Sequence, residues 1–303
     1  MGAKGLTIGV FDSGFGGLTV LRELLPLVPG SHFVYLGDTA RLPYGSKSRE
    51  TIVRYALSSA RFLQQRGAQL LVVACNTATA LALDELREAL PIPVVGVIQP
   101  GAEAAADACR EQGPGHREQG TTAGVLVLAT QATIESHAYA RACAALGLKA
   151  TEKACPLLVP LVEEGWIGED GDAARASVTA QVLRIYLGEA LRDAPESRAL
   201  LLGCTHYPLL RPAIERTLVE LGRPLRVIDS AQATARVVAR VLSENGIARG
   251  GLAGVCEANG ALAEVGEATC EFFATDSVRK FERLGSRFLG RPVGKVQLVD
   301  LGG

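Results

Sequence analysis

The sequence predicts an α/β protein built on parallel sheets and organised as two lobes. Three observations support this. Strand-length apolar runs recur along all 303 residues. Segments between them place apolar residues three and four apart, as a helix with one buried face does. The runs are continuously apolar rather than alternating, which is what strands buried on both faces require.

In chain order, strands are expected at residues 8–11, 33–36, 70–74, 94–98, 125–129, 199–202 and 225–228. A helix is expected over 18–28, directly after the Gly-rich turn that follows the first strand. Residues 49–65 place Ile52, Ala56, Ala60 and Leu63 on one helical face. Residues 78–90 behave similarly, as do 172–191 through Val178, Val182, Ile185 and Tyr186. Two polar, Gly-rich stretches, 111–124 and 246–254, read as exposed loops.

Composition narrows the function. Apolar residues are 48% and charged residues 21%, and the formal net charge is −1. A chain without basic excess is not expected to bind nucleic acid. No run reaches the ~18 apolar residues of a membrane span, so no membrane partner is expected. Residues 1–10 lack the apolar segment and cleavage site of a signal peptide, so the expected location is the cytoplasm. Seven cysteines, an odd number with no C-x-x-C pair, argue for reduced thiols rather than a disulfide framework. Cys109 and Cys143 lie in Ala-rich helical patterns and read as core fillers.

Open parallel sheets bind ligands beyond the carboxyl ends of their strands. There this sequence places Asp12, Ser13, Gly14, Gly16 and Gly17 after the first strand, and Gly37, Asp38 and Thr39 after the second. Pro43, Tyr44 and Gly45 follow a little further on. Cys75, Asn76 and Thr77 follow the third strand; Thr130 and Thr133 follow the run at 125–129; Cys204, Thr205 and His206 follow the run at 199–202. These ends are small and polar and almost free of Lys and Arg. A small substrate held by neutral donors and backbone N–H groups fits them.

Residues 12–17 fail as a nucleotide loop. The third glycine of G-x-G-x-x-G is replaced by Thr19, and no P-loop lysine follows. The stretch reads instead as a tight strand-to-helix turn, or as a nest of N–H groups for a carboxylate at a helix start. Asp12 serves equally as helix cap or as catalytic group. Cys204 and His206 resemble half a metal site, but the other histidines (32, 116 and 137) supply no partner spacing, so no metal is expected. His32 and His116 fall in expected loops and His137 in a helical pattern.

Two chemistries remain. Cys204 and His206 alone form a thiol nucleophile with its base, as in an acyl-transfer hydrolase, but this leaves Cys75 without a role. Two-base proton transfer at carbon uses both thiols. One thiolate removes a proton from one face of a stereocentre while a thiol on the other face returns one. A free thiol has a pKa near ~8.5, so a helix N-terminus after each strand is expected to lower it. Asp12 is a candidate partner for Cys75 and His206 for Cys204. A two-lobed molecule with one thiol on each wall of a cleft supplies the geometry.

Several blocks of this sequence occur in one family. They are V-F-D-S-G-F-G-G from Val10, G-D from Gly37 with P-Y-G from Pro43, A-C-N-T-A from Ala74, and L-G-C-T-H-Y-P-L from Leu202. A-C-P-L-L-V-P-L-V-E-E-G from Ala154 and the stretch 272–276 add to them. Together they resemble glutamate racemases, in the cofactor-independent aspartate/glutamate racemase family, from about Ile8 to Arg291.

The resemblance implies interconversion of L- and D-glutamate, supplying D-glutamate for peptidoglycan, with no cofactor and no metal. It implies Cys75 and Cys204 as the acid/base pair, with Cys75 deprotonating D-glutamate and Cys204 L-glutamate. Asp12, His206 and Glu163 are the implied assistants. Substrate contacts fall on Asp12, Ser13, Tyr44, Gly45, Asn76, Thr77, Thr130, Thr133, Thr205 and His206. Two flavodoxin-like lobes are implied, residues 1–98 with 230–303 and residues 99–229, with the active site in the cleft between them and a homodimeric assembly.

Four features depart from the family pattern. Gln131 and Ala132 stand where a glycine usually precedes Thr133, and the stretches 111–124, 167–172 and 250–270 are longer than usual. The thiols would also suit another acidic amino acid such as aspartate. A binding module for such an amino acid, needing neither thiol, is a further alternative.

Overall fold

A computed structural model describes residues 6–111, 123–167, 173–244 and 267–302. The stretches expected as loops or as longer than usual (111–124, 167–172, 246–254 and 250–270) lie wholly or largely outside these.

Strands and helices alternate. The order is β1 (Thr7–Asp12), α1 (Leu18–Leu24), β2 (His32–Gly37), α2 (Arg49–Gln65), β3 (Leu70–Val73), α3 (Asn76–Ala89) and β4 (Val94–Gly96). Then come α4 (Ile98–Glu111), β5 (Gly124–Ala129), α5 (Gln131–Glu135), α6 (Ala138–Ala145), β6 (Lys149–Ala154), α7 (Leu158–Glu163), α8 (Ala173–Asp193) and β7 (Ser197–Gly203). The chain continues through α9 (Arg211–Glu220), β8 (Arg226–Asp229), α10 (Ser230–Glu244), β9 (Thr269–Ala274), α11 (Val278–Leu289) and β10 (Val296–Leu298).

The chain divides into two units, Met1–Gly96 with Thr234–Gly303, and Val97–Ala233. Each holds one sheet. The first has strand order β10-β9-β2-β1-β3-β4 and the second β6-β5-β7-β8. Every pairing is parallel. Central strands read as they do because helices cover both faces: β3 is Leu-Leu-Val-Val and β5 is Gly-Val-Leu-Val-Leu-Ala, every residue buried. Helix α2 buries Ile52, Ala56, Ala60 and Leu63, the face expected, and Ser48 caps it by accepting the N–H of Thr51.

Some expectations are corrected. His32 opens β2 rather than lying in a loop. Residue 98 starts a helix, so β4 ends at Gly96. Helix α1 stops at Leu24, short of 28. His137 lies between α5 and α6 in a left-handed conformation, φ 52°. Helix α8 buries Leu183, Leu187, Ala190 and Leu191 and leaves Val178 and Ile185 exposed. Both of its faces carry apolar residues, so periodicity alone selected the wrong one. Three strands were not expected. β6 reads Lys-Ala-Thr-Glu-Lys-Ala on a sheet edge and buries no residue fully. β9 and β10 are the outermost pair of the first sheet.

Gly17 shows how closely the first unit packs. A Cβ there would lie 2.6 Å from Asp12 Cβ and 2.8 Å from Ala74 Cβ. Only glycine lets the turn after β1 close onto the end of β3. Gly17→Ala should therefore lower stability by about 1–3 kcal/mol, as overpacking does. At Gly188, inside α8, an added Cβ meets only Arg192 Nη1 at 3.9 Å. Gly188→Ala should raise stability by about 0.5–1 kcal/mol. Urea unfolding midpoints of the two variants check this: the midpoints should move in opposite directions.

Candidate active site

In each sheet the strand order reverses at one point, and connections leaving on opposite sides open a crevice at the carboxyl ends there. In the first unit this point lies between β1 and β3. Asp12 and Ser13 end or follow β1, and Cys75 follows β3. In the second it lies between β5 and β7. Thr130 follows β5, and Cys204 follows β7.

Cys75 is the N-cap of α3, extended at φ −67°, ψ 120°. Its sulfur accepts the N–H of Ala78 at 3.4 Å, the bond a Ser or Asp cap would make. Ser13 Oγ lies 3.7 Å from the sulfur. Asp12 Oδ2 accepts the N–H of Gly14 at 3.0 Å and so shapes the turn rather than capping α1, whose N-cap is Gly17. Beneath, the buried Tyr35 donates its hydroxyl to the Gly14 carbonyl at 3.1 Å. Asn76 and Thr77 form the first turn of α3, both buried.

The helix N-terminus does not lower the Cys75 pKa as expected. Burial, reinforced by the negative charge of Asp12, pushes it up to about 12, against the N–H of Ala78 and the Ser13 hydroxyl. At pH 7 a thiol of that pKa is ionised in only ~1 molecule in 10⁵. Cys75 therefore rests as a thiol, an acid.

Tyr44 and Gly45 lie in a 3₁₀ turn, Tyr44–Ser46. The Tyr44 ring is buried and its hydroxyl donates to Asp38 Oδ2 at 2.5 Å, so its side chain is committed to the protein. Thr275 Oγ1 donates to the other carboxylate oxygen of Asp38 at 2.9 Å.

Cys204 is placed differently. The chain after it forms a 3₁₀ turn, Tyr207–Leu210, and α9 begins only at Arg211, so Cys204 is not the cap of an α-helix as Cys75 is. A histidine supplies the positive charge instead. His206 Nδ1 lies 3.9 Å from the Cys204 sulfur and 3.5 Å from Thr205 Oγ1. His206 Nε2 lies 3.4 Å from Glu163 Oε1, at the end of α7. Burial opposes charge on His206, but Cys204 and Glu163 outweigh it and push its pKa up to about 10. An imidazolium at neutral pH thus stands between the Cys204 sulfur and the Glu163 carboxylate. The Tyr207 hydroxyl donates to the Cys155 carbonyl at 2.9 Å, tying this turn to the chain that leads into α7.

Thr130 is the N-cap residue of α5, and its hydroxyl pairs with that of Thr133 at 3.0 Å. Gln131 and Ala132 are accommodated in the helix, where Gln131 Nε2 donates to Glu135 Oε1 at 2.6 Å.

The structure thus brings Asp12, Ser13, Cys75, Asn76 and Thr77 to one strand-end crevice, and Glu163, Cys204, Thr205 and His206 to another. Supporting residues beyond the expected site residues are Tyr35, Tyr207 and Thr275, together with Asp38, which the sequence placed at a strand end. The position of Asp38 at a strand end was a signal; the tyrosines read as core. No group of three or more His, Cys, Asp or Glu among the described residues is arranged to hold a metal ion. No described helix is long and apolar enough to cross a membrane.

Comparison with known proteins agrees with these blocks. The family described as Asp/Glu/Hydantoin racemase matches residues 8–238. The chain is 49% identical to a glutamate racemase of Koribacter versatilis over 308 residues, 98% of each chain, and 45% identical to one of Geobacter metallireducens over 97% of this chain and 96% of that one. Among solved structures, a glutamate racemase isoform from Bacillus anthracis superposes with a TM-score of 0.79 at 36% identity over 99% of both chains. One from Francisella tularensis, in complex with D-glutamate, gives 0.79 at 31% identity over 99% of both. This chain belongs to the Asp/Glu/hydantoin racemase family.

Proposed function

We propose that this chain is a glutamate racemase in which Cys75 and Cys204 act as the two acid/base groups on one α-carbon. One observation carries the mechanism: each thiol follows a strand at the reversal point of its own parallel sheet, Cys75 beside Asp12 and Cys204 beside the charged His206. Cys75 rests as an acid. The Cys204 sulfur lies 3.9 Å from Nδ1 of His206.

For L-glutamate, the Cys204 sulfur takes the α-proton and the Cys75 thiol delivers a proton to the opposite face. The C–H bond broken and the one formed share the same carbon, and the product is D-glutamate with the two sulfurs exchanged in protonation. The reverse reaction starts from that state. Glu163 holds His206 in place and protonated. Asp12 shapes the turn that presents Ser13 to Cys75. Backbone N–H groups near Ser13, Gly45, Asn76 and Thr205, with the hydroxyls of Thr77, Thr130 and Thr133, hold the substrate's ammonium and carboxylates. No cofactor enters this chemistry. The same reading extends to the setting: a cytoplasmic homodimer that supplies D-glutamate for peptidoglycan. Its support is the family resemblance.

Purified protein should interconvert the two glutamate enantiomers, followed by circular dichroism, in preference to aspartate. Cys75→Ala and Cys204→Ala should each reduce racemisation in both directions by about 10²–10⁴-fold or more, because each direction uses both groups. Activity retained in Cys75→Ala, with a trapped acyl adduct on Cys204, would indicate a thiol hydrolase instead.

His206 gives a separate check. Its pKa is raised, so the ring is charged below about 10 and neutral above. An NMR titration should show the His206 imidazole protonated through neutral pH, with a midpoint well above the usual ~6.5. Glu163→Gln removes an anionic partner and should lower that midpoint. A midpoint near the usual value in the unaltered protein would contradict the arrangement.

A further inference from the structure

Between β2 and α2 the chain makes two three-residue 3₁₀ turns, Thr39–Arg41 and Tyr44–Ser46. Turns this short have few internal bonds and take their shape from what surrounds them. The second holds Gly45, a proposed substrate contact, and Tyr44, whose buried side chain anchors the turn. Its anchor is the buried Asp38, which accepts the Tyr44 hydroxyl. Its packing partner is Tyr55, whose ring lies 5.9 Å from that of Tyr44 at 44°.

Arg41 joins both supports. Its Nη1 lies 3.4 Å from Asp38 Oδ2. Its guanidinium carbon sits 4.5 Å over the centroid of the Tyr55 ring. Its Nη2 donates to the carbonyl of Gly302. The side chain is only 12% exposed. One guanidinium therefore touches the carboxylate that holds Tyr44, the ring that packs on Tyr44, and the segment that follows β10.

That segment, residues 299–302, is itself well fastened. The N–H of Val299 donates to the Ala274 carbonyl at 2.9 Å, at the end of β9. The Ser58 hydroxyl, on α2, donates to the Leu301 carbonyl at 3.1 Å. Asp300 Oδ1 accepts the N–H of Gly302 at 2.9 Å, which turns the chain toward Arg41. Val299 and Leu301 pack on the core cluster that contains Tyr44 and Cys75.

We propose that Arg41 is a positioning residue of the Tyr44–Gly45 turn and that residues 299–302 form a strap against which it holds that turn. The inference rests on the reading of Gly45 as a substrate contact. Arg41 touches no reacting atom; it acts through Asp38 and Tyr55. A turn that grips substrate and transition state alike contributes uniform binding, so loosening it raises KM and leaves kcat nearly unchanged. Arginine suits the position because its planar fork bonds two acceptors while its face stacks on a ring, and lysine cannot do all three.

The test is steady-state racemisation of both glutamate enantiomers by the full chain, by Arg41→Met, by Arg41→Lys, and by a chain ending at Asp300. Arg41→Met should raise KM for both enantiomers about tenfold, with kcat within about threefold of the unaltered protein. Arg41→Lys should fall between, since charge is kept and the fork is lost. The shortened chain should raise KM in the same way, and adding Arg41→Met to it should add little, because the two changes break one contact. If Arg41→Met leaves KM unmoved, or lowers kcat at constant KM, the proposal is overturned whether or not the shortened chain folds. If the unaltered protein racemises neither enantiomer, the functional reading fails first; if it does and KM is unmoved, only the strap fails.

Discussion

The constraint on which this structure depends is the reversal of strand order inside each parallel sheet. A β-strand buried on both faces has no room for polar side chains along its length, so polar groups collect where it ends. At the reversal point two neighbouring strands end side by side with their helices leaving on opposite faces. In the first unit that puts the turn after β1 beside the start of α3, and Gly17 lets them meet. In the second it puts Thr130 and Cys204 at neighbouring strand ends. Buried sulfur at these positions follows from the topology; its reactivity depends on what surrounds each sulfur.

The two surroundings differ in sign. Around Cys75, burial and the charge of Asp12 oppose a thiolate, and three weak donors, the Ala78 N–H and the hydroxyl and N–H of Ser13, do not offset them. Around Cys204, a buried histidine is kept charged by the sulfur on one side and Glu163 on the other, despite the cost of burial. Two residues of the same type thereby sit beside groups of opposite charge, Cys75 beside Asp12 and Cys204 beside His206. Inversion of a stereocentre by proton exchange asks for one group that accepts a proton and one that gives it. The assignment to glutamate is independent of this electrostatic reasoning and follows the relatives. Likeness to an aspartate racemase of Picrophilus torridus and to an aspartate racemase homologue of Pyrococcus horikoshii, 18% and 19% identical, extends to the fold alone.

Much of this was legible in the sequence, for physical reasons. Continuous apolar runs such as 70–74 and 199–202 have no other economical use than doubly covered strands. Cysteines followed directly by Asn-Thr and Thr-His at such ends stand out because packing alone does not call for them. What could not be read depends on tertiary context. Strand β6 is a polar edge with half-buried residues, so its composition resembles a loop. Helix α8 has apolar residues on two faces, and only its neighbours select which is buried. The upward shift at Cys75 was hidden because a helix N-terminus is visible in sequence while burial and the approach of Asp12 are not. Arg41 gave no signal, since its partners Tyr55 and Gly302 are far along the chain.

The most direct measurement of the two-thiol mechanism is deuterium incorporation during a single direction of turnover. L-glutamate is supplied in deuterated water and sampled at low conversion. With Cys204 accepting the substrate proton and Cys75 delivering a solvent-derived one, the D-glutamate formed should be deuterated at Cα while the remaining L-glutamate keeps its protium. D-glutamate that retains the original protium would show that one group moves the same proton across both faces, and would contradict the pairing of Cys75 with Cys204.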